Sequence, residues 1–399
     1  MFKKLKLFLC TLIIFHLITI PIFAQEKIVK ISLAGDVLLA GNIGKLIETY
    51  GSNYPWEHVK NIFKSSDLSI VNLETSIGIN GKPYPNKKYT FQAKPEALLG
   101  LLDAGIDGVS IANNHTLDYG IKGFMDTLKN LERLNIQYAG GGRNIEDAKK
   151  AVIWDIKGIK IGFLAFSRVI PNVNWYAGEN KPGLLGAYDC HADDILNLVK
   201  TVKKDVDFLI VSIHWGKELK SYPQLSDTIF AKKLIDSGAD CIMGHHPHVL
   251  QGIQFYKNRP IIYSLGNFIF SSKSKQCRQS IIFNLEICKD GIVDTNIIPI
   301  SIKNGQPIPF ENQFEIINNL NILSKNWNTK FFENGKIQGN ISYISPKENT
   351  LKNINSSTES NTKSGKNTLL EFSTNFIKKL NSIKLTVSKN IKTILNKML

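Results

Sequence analysis

The chain has 399 residues, 43% hydrophobic, 21% charged and 10% aromatic, which excludes bulk disorder and allows one large domain or two smaller ones. Its formal net charge of +15 would suit a nucleic acid, an anionic membrane or an acidic polymer. Lysines at the two ends, Lys3, Lys4 and Lys6 at the start and a lysine-rich stretch after residue 344, carry roughly two-thirds of that excess, so the body offers no broad footprint for a duplex and no nucleic-acid partner is expected.

The first elements concern targeting. Lys3, Lys4 and Lys6 precede an apolar run from Leu7 to Phe23, broken only by Thr11, His16 and Thr19 and followed by Ala24-Gln25-Glu26. Residues 1–24 therefore read as an export signal, which places the protein at the extracytoplasmic face of the membrane or the cell surface. Ala24 suits a cleavage site and Ile22 does not, and the run is near the lower limit for spanning, so cleavage and retention as an anchor both stay open.

Residues 25–305 read as the main domain. Ile28–Leu33 is a strand pattern ending in Ala34-Gly35-Asp36, and similar apolar runs each deliver a polar cluster at their ends. Leu68–Val71 precedes Asn72-Leu73-Glu74, Gly108–Ile111 precedes Asn113-Asn114-His115, Phe208–Ile213 precedes His214, and Cys241–Met243 precedes Gly244. Helical periodicity lies between them at 95–104, 120–134, 193–203 and 227–237. This alternation predicts an α/β fold, with ligands at the carboxyl ends of the strands. Two hairpin patterns, one turning at Lys157-Gly158 and one at Lys257-Asn258-Arg259, make the sheet structure mixed rather than purely parallel.

Strand patterns at 280–287 and 292–300 close the domain near residue 305, and 306–344 is apolar enough to pack but carries no assignable pattern. Residues 345–368, rich in Ser, Thr, Asn and Lys, read as a flexible linker. Across 369–399, Leu369, Phe372, Phe376, Leu380, Ile383, Val387, Ile391, Ile394 and Met398 recur at helical steps, with lysines mostly on the other face. Such a basic amphipathic helix fits a membrane surface, or packs back on the domain or a partner. Of the five cysteines, Cys10 lies in the targeting segment; the other four show no CxxC spacing, which leaves one disulfide or buried free thiols open.

Five of the eight histidines, His115, His214, His245, His246 and His248, fall in the strand-end clusters. Neutral imidazole and carboxylate are the usual ligands of zinc, iron and manganese, and a dinuclear site needs several arriving from different strands. Asp36, Glu74, Asn114, His214, His246 and His248 would suffice. Singly, Asp36 reads as well as a turn or cap residue, Asn113-Asn114 as turn residues and His115 as a satisfied core histidine. Their joint recurrence at one sheet edge favours a divalent metal site of two ions, with Mn, Fe or Zn all compatible.

These residues also carry a resemblance. Gly35-Asp36, Asn72-Leu73-Glu74, Ala112-Asn113-Asn114-His115 with Leu117-Asp118-Tyr119-Gly120, His214-Trp215-Gly216 with Glu218, Gly238-Ala239-Asp240, Gly244-His245-His246-Pro247-His248-Val249 with Gln251, and Tyr263-Ser264-Leu265-Gly266-Asn267-Phe268 resemble the CapA-like family. These are capsule-synthesis proteins associated with poly-γ-glutamate, a branch of the calcineurin-like metallophosphatase superfamily. The resemblance runs from about Ile28 to Ile300 and implies a four-layer α/β/β/α sandwich of two mixed sheets with the site at the sheet edge. It assigns Asp36 and His248 to a first metal, Asn114, His214 and His246 to a second, and Glu74 to a bridge. His115 would be the general acid, oriented by Asp118. His245, Trp215, Glu218 and Asn267 would contact substrate.

The superfamily's first motif is Asp-x-His, whereas Asp36-Val37-Leu38 carries leucine in the third position, and Glu74 stands for the usual bridging Asp. The resemblance implies metal-dependent hydrolysis of a phosphoester or of an amide in an acidic polymer, with capsule synthase subunits as partners. The alternative is a membrane-associated subunit that binds an anionic polymer without cleaving it. A loop from Arg168 through Trp175, Tyr176 and Lys181-Pro182-Gly183 reads either as a cover over the site or as packing for a sheet edge.

Overall fold

The structure, a computed structural model, describes residues 27–339 and Tyr343. The expected export segment, linker and basic amphipathic helix lie outside the described residues. Within them, no helix is long and apolar enough to cross a membrane.

Strands β1 (Val29–Val37), β2 (Leu68–Leu73), β3 (Gly108–Ser110) and β4 (Gln137–Ala139) run parallel, side by side in that order. A second sheet follows from β5 (Val152–Ile156), β6 (Ile159–Ser167), β7 (Phe208–His214), β8 (Cys241–His245), β9 (Ile253–Tyr256) and β10 (Arg259–Ile262), in the order β9-β10-β8-β7-β6-β5. Its centre is parallel and each edge is a hairpin. The chain then returns to the first sheet. There β11 (Asn267–Ile269) pairs parallel with β1, while β12 (Gln279–Cys288), β13 (Gly291–Lys303) and β14 (Gln306–Pro309) extend it antiparallel. Both hairpin turns of the second sheet carry two residues at positive φ, Lys157 and Gly158 in one and Lys257 and Asn258 in the other, the backbone that matches strand twist in two-residue turns.

The strand residues sort by parity into layers. Phe208 and Ile210 of β7 face Val29, Ile31, Leu33, Leu68 and Ile70 between the sheets. Helices α1 (Asn42–Tyr50), α2 (Ala97–Asp103) and α3 (Gly120–Arg133) cover the outer face of the first sheet. Leu209, Val211 and Ile213 face outward on the second, against Ile195 and Val199 of α4 (Ala192–Lys203) and Phe230 and Leu234 of α5 (Leu225–Asp236). Central strands buried on both faces need apolar residues at every position, which is why these segments read as unbroken runs. The four-layer α/β/β/α arrangement of two mixed sheets is therefore present.

One boundary is corrected. The core does not end near residue 305: β14 adds a strand, and helix α6 (Gln313–Ser324) buries Ile316, Ile317, Leu320 and Leu323 in the layer between the sheets. These side chains share one buried cluster with Ile31, Leu33 and Phe283, so residues after 305 complete the domain. Of the cysteines, Cys241 and Cys277 are buried free thiols and Cys190 is an exposed one, while Cys288 is buried.

Candidate metal centre

Two glycines let the chain bring its carboxylate to the sheet edge. A Cβ on Gly35 would lie 2.0 Å from the Gly266 carbonyl, and one on Gly244 would lie 2.1 Å from that of Tyr263, so any side chain there would force neighbouring strands apart. The β1–β2 register shifts between Leu33 and Asp36, an irregularity of the kind that re-aims a side chain beside a site. Asp36 thereby sits between Asn72 of β2 and Asn267 of β11.

Asp36 is fully buried. Its Oδ1 accepts from Asn72 Nδ2 at 2.9 Å and lies 3.0 Å from His245 Nδ1, and its Oδ2 lies 3.3 Å from His248 Nδ1. Burial opposes its ionisation, but the hydrogen bonds from His245 and His248 hold its carboxyl well below the usual carboxylate range. Glu74, also fully buried, puts Oε1 3.6 Å from His214 Nε2 and 3.7 Å from His248 Nε2. Burial, with Asp36 beside it, pushes the Glu74 carboxyl well above its usual value. His214 Nε2 is 2.8 Å from Asn114 Oδ1. Burial lowers the His214 imidazole well below its usual value and takes His246 down to about 3, whereas His248, which burial alone would also lower, is lifted to about 10 by Glu74 and Asp36. The field between the two carboxylates thus favours a cation.

All six expected ligands converge. Ligand atoms of Glu74, His246 and His248 lie within 4.8 Å of one another, as do those of Asp36, Glu74 and His214. Glu74 belongs to both groups, the position of a bridging carboxylate. These distances group His246 with His248 and Asp36 with His214, while Asn114 Oδ1 and the His246 ring also lie beside His214. Glu74 Oε1 and His246 Nδ1 are buried without a hydrogen-bond partner among the described residues. Buried polar atoms left unpaired are costly, and a divalent cation would satisfy both, so the donor set fits a metal. His246 and His248 carry φ of 96° and 58°, an unfavourable backbone for non-glycine residues that tends to be held at functional sites.

The residues expected to touch substrate separate. Asn267 is fully buried; its Oδ1 accepts from His248 Nδ1 at 2.9 Å and its Nδ2 donates to the His248 and Cys277 carbonyls. It orients a ligand imidazole, leaving Nε2 toward Glu74, rather than contacting substrate. His245 is fully buried against Asp36. Trp215 belongs to the outer core, where its Nε1 donates to the Tyr263 carbonyl at 2.9 Å and its ring stacks on Tyr263. Successive residues along an extended chain point to opposite sides, so His214 in the site sends Trp215 away from it. Glu218 is exposed at the rim, close enough for its charge to reach Glu74 and His248.

The His115 and Asp118 side chains meet, Nδ1 to Oδ2 at 2.7 Å, with Phe91 against the imidazole at 4.8 Å between ring centroids. Two participants, Asn72 and Lys87, are given no role by the sequence. Asn72 bonds Asp36 and receives a bond from Asn113, whose Nδ2 also donates to the Leu73 carbonyl. Lys87 is largely buried; its ammonium contacts Asp118, donates to the Asn114 carbonyl at 2.6 Å and sits 5.5 Å from the Trp175 ring. Trp175, buried and edge-on to Tyr84, brings the 168–183 loop to the site through Lys87.

Comparison with known proteins gives the family of the chain. The family described as "Bacterial capsule synthesis protein PGA_cap" matches residues 30–272. The capsule biosynthesis protein CapA of Bacillus anthracis is 30% identical over 71% of this chain and 70% of its own length, and the PGA biosynthesis protein CapA of Bacillus subtilis is 31% identical over 71% and 74%. Among solved structures, a phosphatase from Mycoplasma pneumoniae is similar at 14% identity and a TM-score of 0.44, over 69% of this chain and 95% of that one. From the matched span and these identities, the chain belongs to the CapA-like bacterial capsule synthesis family.

Proposed function

We propose that this chain is an exported, metal-dependent hydrolase of capsule or poly-γ-glutamate biosynthesis, acting on a phosphoester or on an amide of the polymer. The observation that carries this reading is the pair of ligand groups sharing Glu74. When bound, divalent metals at such a site supply Lewis-acid polarisation and an activated water. The chain's own residues do the rest. Asp36, Glu74, Asn114, His214, His246 and His248 would hold the ions. Asn72 and Asn267 fix the orientations of Asp36 and His248. His115, paired with Asp118, holds the proton that the leaving group requires. Residues 1–24 and 369–399 would keep the protein at the membrane surface, where capsule synthase subunits are the fitting partners.

A non-catalytic reading has one observation behind it. Leu38, where the superfamily's first motif has histidine, is buried among apolar side chains of the first core, so nothing replaces that ligand from this position. The protein would then bind the polymer within a synthesis complex. Metal analysis of full-length protein purified without chelator separates the two. About two transition-metal ions per chain, with turnover lost and metal retained in His115→Ala, supports hydrolysis. One ion or none after reconstitution, with capsule production intact in Asp36→Ala, overturns it.

A further inference from the structure

Exposure rises along a short line of rings that starts at His115. The buried imidazole meets the Phe91 ring at 4.8 Å between centroids. Phe91 is half-buried, and Tyr89, parallel to it within 7° at 6.5 Å, is 59% exposed. Both rings are held in place. The Phe91 backbone N–H donates to Asp118 Oδ2 at 2.7 Å, the carboxylate oxygen that also meets His115 Nδ1, so ring and imidazole share one anchor. The Lys88 ammonium lies 5.1 Å from the centre of the Tyr89 ring, a cation–π contact that restrains an otherwise free side chain. Aromatic faces fixed at the mouth of a site are surfaces that orient a ring-bearing ligand.

We propose that Phe91 and Tyr89 form a shelf for the leaving group, and that the site takes phosphoesters whose departing alcohol carries a planar aromatic ring. The inference rests on the hydrolase reading above and narrows its substrate class. A group that receives its proton from His115 must lie against that imidazole, where the packed ring is Phe91, with Tyr89 beyond it toward solvent. Aromatic rings attract one another in offset or edge-on contact beyond the area they bury, whereas a saturated chain or ring on the same surface gains area alone. Of the two bonds considered above, the polymer amide brings no planar ring to this shelf and the phosphoester can.

The test is calorimetric titration of full-length, manganese-loaded protein with benzylphosphonate, cyclohexylmethylphosphonate and propylphosphonate, whose carbon–phosphorus bond a phosphoester hydrolase leaves intact. All carry the same phosphonate for the metal centre and differ in what lies on the shelf. Benzylphosphonate is expected to bind about tenfold more tightly than propylphosphonate. Tyr89→Ala and Phe91→Leu should each cut that preference to about threefold or less, with propylphosphonate held within about twofold of its wild-type affinity. Tyr89 is exposed, so its variant reads the shelf without disturbing the core. Equal binding of the benzyl and propyl compounds by wild type, or an unchanged preference in both variants, overturns the shelf. Propylphosphonate weakened as much as benzylphosphonate in both variants also overturns it and gives the rings a purely structural role. Cyclohexylmethylphosphonate binding as tightly as benzylphosphonate overturns the planar-ring assignment. Failure of every phosphonate to bind overturns the metal-site reading and this inference with it, so a failed shelf and a failed metal centre give different results.

Discussion

The Lys87 ammonium lies 3.0 Å from Nδ1 of His115, and the same nitrogen lies 2.7 Å from Asp118 Oδ2. An ammonium only donates and a carboxylate only accepts, so Nδ1–H belongs to Asp118 and Lys87 shares that carboxylate instead of bonding the ring. Burial lowers the His115 pKa, Asp118 raises it, and the Lys87 charge lowers it further. Removing the ammonium should therefore raise it. In Lys87→Met, NMR titration of the His115 ring is expected to show a higher pKa than wild type, and in Asp118→Asn a lower one. An unchanged value in both variants would mean that neither group faces the imidazole in solution.

Asn267 tests how the ligands are oriented. Asn267→Ala removes the acceptor that fixes the His248 ring, and loss of such a supporting hydrogen bond typically weakens metal binding about 10–100-fold. Competition with a chelating indicator measures this. Wild-type affinity in the variant would show that packing against Phe270 alone holds the ring.

The metal-free protein should be acid-sensitive through His246. Its folded pKa of about 3 lies below the ordinary value of 6.5, so between those values the unfolded chain binds a proton that the folded one does not. Stability is then complete above about pH 6.5 and falls as pH drops toward 3, by about 1.4 kcal/mol per pH unit for one such histidine. Urea unfolding of chelated protein at pH 4.5 to 6.5 should show at least this slope, because His214 is lowered in the same direction, and His246→Asn should reduce it by about one histidine's share. An equal slope in that variant would assign the effect to other groups.

The two close-approach glycines should tolerate no side chain. Gly244→Ala places a methyl against the Tyr263 carbonyl, and such overpacking costs about 1–3 kcal/mol. Metal affinity should fall with it, because the strain enters the strand that ends in His245. A stability within about 0.5 kcal/mol of wild type in urea would contradict the tight approach.

Helix α6 should prove structural. Leu320 is fully buried between the sheets, so Leu320→Ala should cost about 2–5 kcal/mol. A chain ending at residue 305 should fail to fold. Cooperative thermal unfolding of that truncated chain, close to that of the full domain, would return the boundary to 305.

By itself the sequence determined the strands that are buried on both faces, the amphipathic helices between them, and the polar clusters at the strand ends. Each of these follows from local periodicity: Phe208–His214 reads as a continuous apolar run because helices cover one face and the other sheet covers the opposite one. Gly35 and Gly244 mark their places without revealing whose carbonyl they must clear. What only the tertiary structure decided depends on which distant segments meet. Lys87 and Asn72 join the site because a loop and a strand from different parts of the chain converge on Asp118 and Asp36. Trp215 leaves it because its strand parity faces the core, and Asn267 supports His248 because β11 pairs beside β1. Helix α6 completes the core because its buried side chains join the cluster of Ile31, Leu33 and Phe283 between the sheets. Sequence periodicity records whether a side chain is buried, whereas pairing between strands far apart in the chain sets which partners it meets.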